Sequence, residues 1–174
     1  RRVLFRSHYQ NVCSIFNSPM QKELGSCQEY DFSKKADFVV VNLGTNDNSS
    51  FNNPWTDEST GKVYQYQVND DGTVAESSKK EIYEGIKNFL YQIRKNNPSA
   101  KILWVWGMLK LDKIPAILQN AMEDYKKESG DQNVFSLELD AMEDVENHLL
   151  DKGSRWHPGP KTHELAAKQI SQNL

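Results

Sequence analysis

The sequence is poor in cysteine and in every feature that marks a membrane or a nucleic acid as a partner. Cys13 and Cys27 are its only cysteines. At that spacing they form neither a zinc pattern nor a disulfide framework, so the redox compartment, and with it export, stays open. The longest apolar run, Ile102 to Leu109, is far too short to cross a bilayer. No block of Lys or Arg stands out and the formal net charge is −3, so nothing gathers nucleic acid phosphates or anionic lipid. No Gly-rich loop joins a strand to a helix, which ranks nucleotide binding last. His157 and His163 do not share a helix face, so no metal pair is expected, and no cofactor is implied.

What is present fits a globular domain. Of 174 residues, 37% are hydrophobic and 26% charged, enough for one domain with a core. Residues 1–7, RRVLFRS, lack an initiator Met, and no long apolar stretch follows the arginines, so they are not a signal peptide. They read as a translated sequencing-adapter end, a non-native leader, and are set aside. Residues 8–174 then read as the C-terminal part of one domain. Residues 8–35 carry little periodicity and suggest loop with a short helix.

Phe38 to Asn42 is a Val-rich run of the kind found in strands buried on both faces of a parallel sheet. Residues 48–76 form a polar insertion, in which VYQYQVNDDGTV suggests a hairpin turning at Asp71-Gly72. Ser78-Lys79-Lys80-Glu81 has capping-box spacing. Behind it Ile82, Ile86, Phe89, Leu90 and Ile93 share a helix face, and Asn96-Asn97-Pro98 ends that helix. KILWVWG is the next strand. Ile114, Ile117, Leu118, Ala121, Met122 and Tyr125 form a second amphipathic helix, stopped near Gly130. NVFSLEL alternates, as an edge strand does. Pro158 and Pro160 open a last helix carrying Leu165, Ala166 and Ile170. Alternation of this kind predicts an α/β fold with a parallel sheet and right-handed crossovers.

In open α/β sheets ligands collect at the carboxyl ends of the strands. Three loops follow strands here: Gly44 to Ser50, Gly107 to Asp112 and Asp140 to Lys161. The first holds Asn46 and Asp47; the last holds Arg155-Trp156-His157-Pro158. An amide donor facing an imidazole suits acyl transfer, the donor stabilising an oxyanion and the imidazole acting as base and then acid. The positive end of the helix after His157 disfavours imidazolium, which keeps the base neutral. Each residue also has an ordinary reading. Asn-Asp after a strand is common turn chemistry, and a His before a helix is commonly a cap. The serines of Gly25-Ser26-Cys27 and Gly153-Ser154 follow no apolar strand and do not read as nucleophiles. His8 and His148 read as surface residues.

Taken together, LGTND and RWHPGPKTHE resemble the third and fifth blocks of the SGNH (GDSL-type) hydrolases. The nearest subgroup is carbohydrate esterase family 2 and its relatives, which DFSKKADFVVVNLGTND is similar to over a longer stretch. The resemblance implies a flavodoxin-like three-layer α/β/α sandwich, with the strands seen here as its last three and the first strands absent. It implies a serine esterase acting on ester-linked acyl groups, through carbohydrate O-acetyl deacetylation. Its substrate would be an acylated carbohydrate or other small ester. Asn46 corresponds to an oxyanion-hole donor and His157 to the base. Gly44 and Asp47 correspond to support of that loop, and Trp156 to an aromatic for a sugar ring. Two departures follow. The Gly-Asp-Ser nucleophile block is absent, which places the serine of a Ser-His dyad upstream and leaves the fragment alone inactive. The acidic residue usual before the His is replaced by Ser154 and Arg155. The backbone carbonyl of Arg155 would then orient His157, with Asp151 or Asp140 as substitutes if the loop folds back. An alternative within the same fold is a non-catalytic glycan-binding module using Trp55, Trp104, Trp106 and Trp156. Against it, Trp104 and Trp106 are expected to enter the two flanking layers on opposite faces.

The gene is expected to encode, upstream of His8 and in place of RRVLFRS, an apolar strand ending in Gly-Asp-Ser. Sequencing the genomic locus checks this, and RRVLFRS found in frame there overturns it.

Overall fold

The computed structural model describes residues 33, 35–56, 61–145 and 150–174. The expectations for residues 8–32, for both cysteines, for His8 and His148 and for Ser26 lie outside the described residues.

Three parallel strands make the main sheet. They are β1 (Phe38–Asn42), the last strand β5 (Val134–Glu138) and, between them, β4 (Lys101–Trp106). Val41 pairs with Trp104, and Trp104 with Ser136. Between β1 and β4 the chain forms the short helix α1 (Thr45–Ser50), the two-residue strands β2 (Trp55–Thr56) and β3 (Val63–Tyr64), and helix α2 (Glu76–Asn96). Helix α3 (Ile114–Ser129) joins β4 to β5, and α4 (Pro160–Asn173) ends the chain.

The helices lie on both sides of the sheet. Every apolar position foreseen on α2 and α3 is buried, because the 3.6-residue period sets one face of each helix against the sheet. Ile102, Trp104 and Trp106 enter that layer beside Val41. Leu103 and Val105 enter the other, against Ala166 and Ile170 of α4. The result is the three-layer α/β/α sandwich. Gly130 caps α3 in the left-handed conformation, and Asn97 caps α2.

Several expectations need correction. Trp104 and Trp106 share one face, since residues two apart in a strand point the same way. Both are buried, so neither offers surface to a glycan. β1 is not buried on both faces: Phe38 is 51% and Val40 42% exposed. Their face is the α4 side, and the contacts of α4 are with β4 and β5. The capping box at Ser78 does not form. Helix α2 begins at Glu76, and the buried Ser78 hydroxyl instead accepts the Gln67 N–H at 2.8 Å. That bond ties residues 61–75 to the helix. In the same stretch Asp71 accepts the Thr73 N–H and Gly72 turns the chain at a φ of 82°. Tyr66, its ring centroid 5.4 Å from that of Phe51, carries the stretch into the core.

The amino ends of the strands meet at one knot. Arg94, near the end of α2, makes two bonds to the Asp131 carboxylate, at 2.7 and 3.1 Å. It also donates to the carbonyls of Asn97, Pro98 and Ala100 just before β4. Asp131 accepts the Tyr125 hydroxyl and the Asn133 N–H just before β5. Asn97 accepts the Ala36 N–H just before β1. Burial pushes the Asp131 carboxyl up, but the bonds from Arg94, Asn133 and Tyr125 outweigh it and hold it below its ordinary value.

Removing one partner of a buried pair leaves the other uncompensated. Arg94→Ala should lower the unfolding free energy by about 3 kcal/mol at pH 7 in chemical denaturation. Because the Asp131 carboxyl titrates lower when folded, its share of stability is present above the ordinary carboxylate range and lost as pH falls below it. A loss within experimental error at pH 7 would refute the role given to the knot.

Candidate active site

At the opposite end of the sheet the carboxyl ends of β1, β4 and β5 open into the three loops singled out in the sequence. The first does not run as a loop. Gly44 takes a φ of 120° and turns the chain at once into α1. A side chain at Gly44 would be strained by that φ, and its Cβ would lie 3.3 Å from Ile114. The Leu43 carbonyl accepts the Trp104 indole N–H at 3.2 Å, fixing where the turn begins.

Within α1, Asp47 is buried. Asn46 is partly exposed, and its carboxamide makes no hydrogen bond among the described residues. The residue that holds the loop in place is one the sequence reading passed over, Asn48. Its side-chain oxygen accepts the N–H of Lys113, at 3.0 Å, and faces that of Ile114, where α3 begins. Its amide donates to Asp112 at 2.9 Å. The bonds from Lys113 and Asn48 keep the Asp112 carboxyl below its ordinary value. Asn48 thus caps a helix 65 residues further along the chain. Only the enrichment of Asn at caps hinted at it; nothing in the sequence named its partner.

His157 stands on a small hairpin. Met142 links it to the neighbouring loop, its N–H bonding the Met108 carbonyl and its own carbonyl accepting the Asp151 N–H. Gly159 N–H then bonds the Asp151 carbonyl, and Gly153 N–H the His157 carbonyl at 2.7 Å. The tip is a single 3-10 turn, Ser154–Trp156. Arg155 and Trp156 both have positive φ, 52° and 60°. The turn closes with the His157 N–H on the Ser154 carbonyl, and the ring Nδ1 lies 3.0 Å from that same oxygen. The carbonyl facing the imidazole is therefore that of Ser154 and not of Arg155, because the left-handed turn folds the chain back by one more residue. A carbonyl only accepts, so in the neutral imidazole this contact puts the proton on Nδ1 and leaves the lone pair on Nε2. His157 is exposed, and Nε2 has no partner among the described residues.

Neither substitute carboxylate bonds Nδ1, whose partner is the Ser154 carbonyl. Asp151 accepts the Thr162 N–H at 2.6 Å and its hydroxyl at 2.8 Å, in the first turn of α4. It lies so close over Gly159 that a Cβ there would sit 2.5 Å from an Asp151 oxygen. The bonds from Thr162 hold the Asp151 carboxyl below its ordinary value. The Asp140 N–H bonds the side chain of Gln169 in α4. Trp156 is 63% exposed, with the Lys152 ammonium 3.9 Å from its ring centre. Among the described residues no group of His, Cys, Asp and Glu could hold a metal ion, and no helix is long and apolar enough to cross a membrane.

Replacing Asp151 by Asn removes the charge that Thr162 binds. Its thermal midpoint should fall below that of the wild type at pH 7, and the gap should close as pH drops through the carboxylate range. A gap that stays constant with pH would show that the carboxylate charge is not what holds the hairpin.

Comparison with known proteins gives this rim a context. A family model described as GDSL-like Lipase/Acylhydrolase matches residues 6–170. An acetyl xylan esterase (Est2A) from the rumen bacterium Butyrivibrio proteoclasticus is similar at a TM-score of 0.77 and 37% identity, over 97% of this chain and 44% of that one. A family two carbohydrate esterase from Clostridium thermocellum, in complex with cellohexaose, gives a TM-score of 0.61 at 22% identity, over 91% of this chain and 42% of that one. One from Cellvibrio japonicus gives 0.60 at 16%, over 94% and 40%. The last two share the fold. The chain spans less than half the length of each of these proteins. No curated protein matches it.

Proposed function

The chain belongs to the GDSL-like lipase/acylhydrolase family, and on that footing we propose that it forms part of a serine esterase that removes acetyl groups from carbohydrate. The observation that carries the proposal is the state of His157. Its Nδ1 is occupied by the Ser154 carbonyl and its Nε2 is free and exposed. That is the arrangement a general base needs, with a third group orienting the ring from behind.

In the proposed reaction a serine upstream of this chain attacks the acetyl carbonyl carbon. His157 Nε2 takes the serine proton as the bond forms. The negative charge that develops on the carbonyl oxygen is met by the Asn46 carboxamide, whose N–H groups have no other acceptor among the described residues. The tetrahedral intermediate collapses, the carbon–oxygen bond to the sugar breaks, and the sugar oxygen leaves with the proton from His157. Water then repeats the sequence on the acetyl-serine, releasing acetate. Gly44 and the buried Asp47 keep Asn46 at the rim, and Trp156 offers a surface to the sugar ring. Similarity to an acetyl xylan esterase at 37% identity supports acetyl as the acyl group and carbohydrate as its carrier. The exposure of Trp156 also suits a glycan-binding module without turnover, a reading the following measurement separates.

The full-length protein should release acetate from acetylated xylan. His157→Ala should abolish the activity, and Asn46→Ala should reduce kcat by about 100–1,000-fold, the usual loss for one oxyanion donor. Unchanged rates in both variants reject these roles. Xylan binding without acetate release from the wild type favours the binding module.

A further inference from the structure

The tip of the His157 hairpin carries positive charge, and one of its cations, Arg155, has no partner among the described residues. Residues 151–161 hold Lys152, Arg155 and Lys161 against one acid, Asp151, in a chain whose net charge is −3. Asp151 is turned toward the start of α4, where it bonds Thr162 and feels the charge of Lys161, which leaves Lys152 and Arg155 at the tip. The other described arginine, Arg94, is spent on a carboxylate and several backbone carbonyls. Arg155 is exposed, and its guanidinium makes no hydrogen bond or ion pair among the described residues. Its backbone is left-handed (φ 52°, ψ 39°), a conformation that glycine or asparagine adopts more cheaply. The fold therefore keeps a free guanidinium two residues from His157, at a backbone cost that a different residue would avoid. Beside it Lys152 covers one face of the Trp156 indole. A sugar ring would have the other face.

From this cluster we infer that the site selects acyl esters on carbohydrate that carries a carboxylate, a uronic acid, with the Arg155 guanidinium pairing with that carboxylate and Lys152 adding to the local field. The inference rests on the esterase reading above and adds the substrate class. The chemistry of the group favours it. A guanidinium presents a planar fork that matches a carboxylate with two parallel bonds, and it stays charged at any working pH. A sugar stacked on the open face of Trp156 would present its ring substituents sideways, and Arg155 is the residue that immediately precedes Trp156. A neutral sugar would leave the guanidinium in water and gain nothing from it.

The test compares acetylated xylo-oligosaccharides of one length, with and without a glucuronic acid side chain, as substrates of the full-length protein. Wild type should show a kcat/KM roughly tenfold higher on the charged substrate at low salt, the scale of one charge-assisted hydrogen-bonded pair. The preference should shrink at about 0.3 M NaCl, where exposed charges are screened. Arg155→Asn, which tolerates the left-handed turn, should bring the ratio close to one, and Arg155→Lys should fall between. Equal kcat/KM on the two substrates in wild type, or a preference that survives Arg155→Asn, overturns the inference. If Arg155→Asn does not fold, as circular dichroism would show, the wild type and Arg155→Lys decide it: a preference indifferent to both salt and Lys overturns it. If neither substrate is cleaved, the esterase reading fails while the inference is still decided by calorimetry with the deacetylated oligosaccharides. Tighter binding of the uronic acid form, lost in Arg155→Asn, upholds it; equal binding overturns it.

Discussion

The ion pair between Arg94 and Asp131 sets the terms for everything above it in the fold. In a parallel sheet each strand is reached by a crossover and not by a tight hairpin, so no turn fixes one strand's start against the next. Here the start of β4 is held by carbonyls that Arg94 gathers, the start of β5 by Asp131 through Asn133, and the start of β1 by Asn97. The pair is largely buried, with side-chain exposures of 18% and 11%, so its bonds are shielded from competing water. With the floor fixed in this way, the three carboxyl ends are delivered to one rim. The residues given chemical roles all sit at that far end, so their exposure costs the knot nothing.

Two different devices hold the rim. Asn46 rides on α1, and α1 is clamped by its own Asn48, whose bonds reach the start of α3. His157 rides on a hairpin that is largely self-contained, closed by Gly153, Ser154 and Gly159 and latched to α4 by Asp151. Asn46 and His157 thus stand on different supports. Their separation is set by the sheet beneath them.

What could be read from the sequence follows the range of the signal. Helix faces repeat locally, so the buried sets on α2 and α3 and the stop at Gly130 were legible from spacing alone. The edge position of β5 showed in the alternation of Phe135, Ser136, Leu137 and Glu138. The rim blocks LGTND and RWHPGPKTHE were legible as strings. Bonds between distant elements were not. Ser78 looked like a cap and serves Gln67 instead. Asn48 carries no signal of its partner in the sequence, and it caps α3. The carbonyl behind His157 was misplaced by one residue, because two consecutive left-handed residues without a glycine have no sequence signature. Trp104 and Trp106 were a failure of parity, not of information: a strand's two-residue period already puts them on one face.

The contact between Asp151 and Gly159 carries a consequence for how this hairpin can drift over generations. The carboxylate lies where a Cβ at position 159 would have to be. Any residue larger than glycine at 159 must displace the acid, and once the acid is lost the reason for glycine goes with it. The two positions form one heritable unit, and substitutions at them should not combine additively. A larger residue at 159 is then compatible with this hairpin only once the acid at 151 has moved or gone, so the order of the two changes matters.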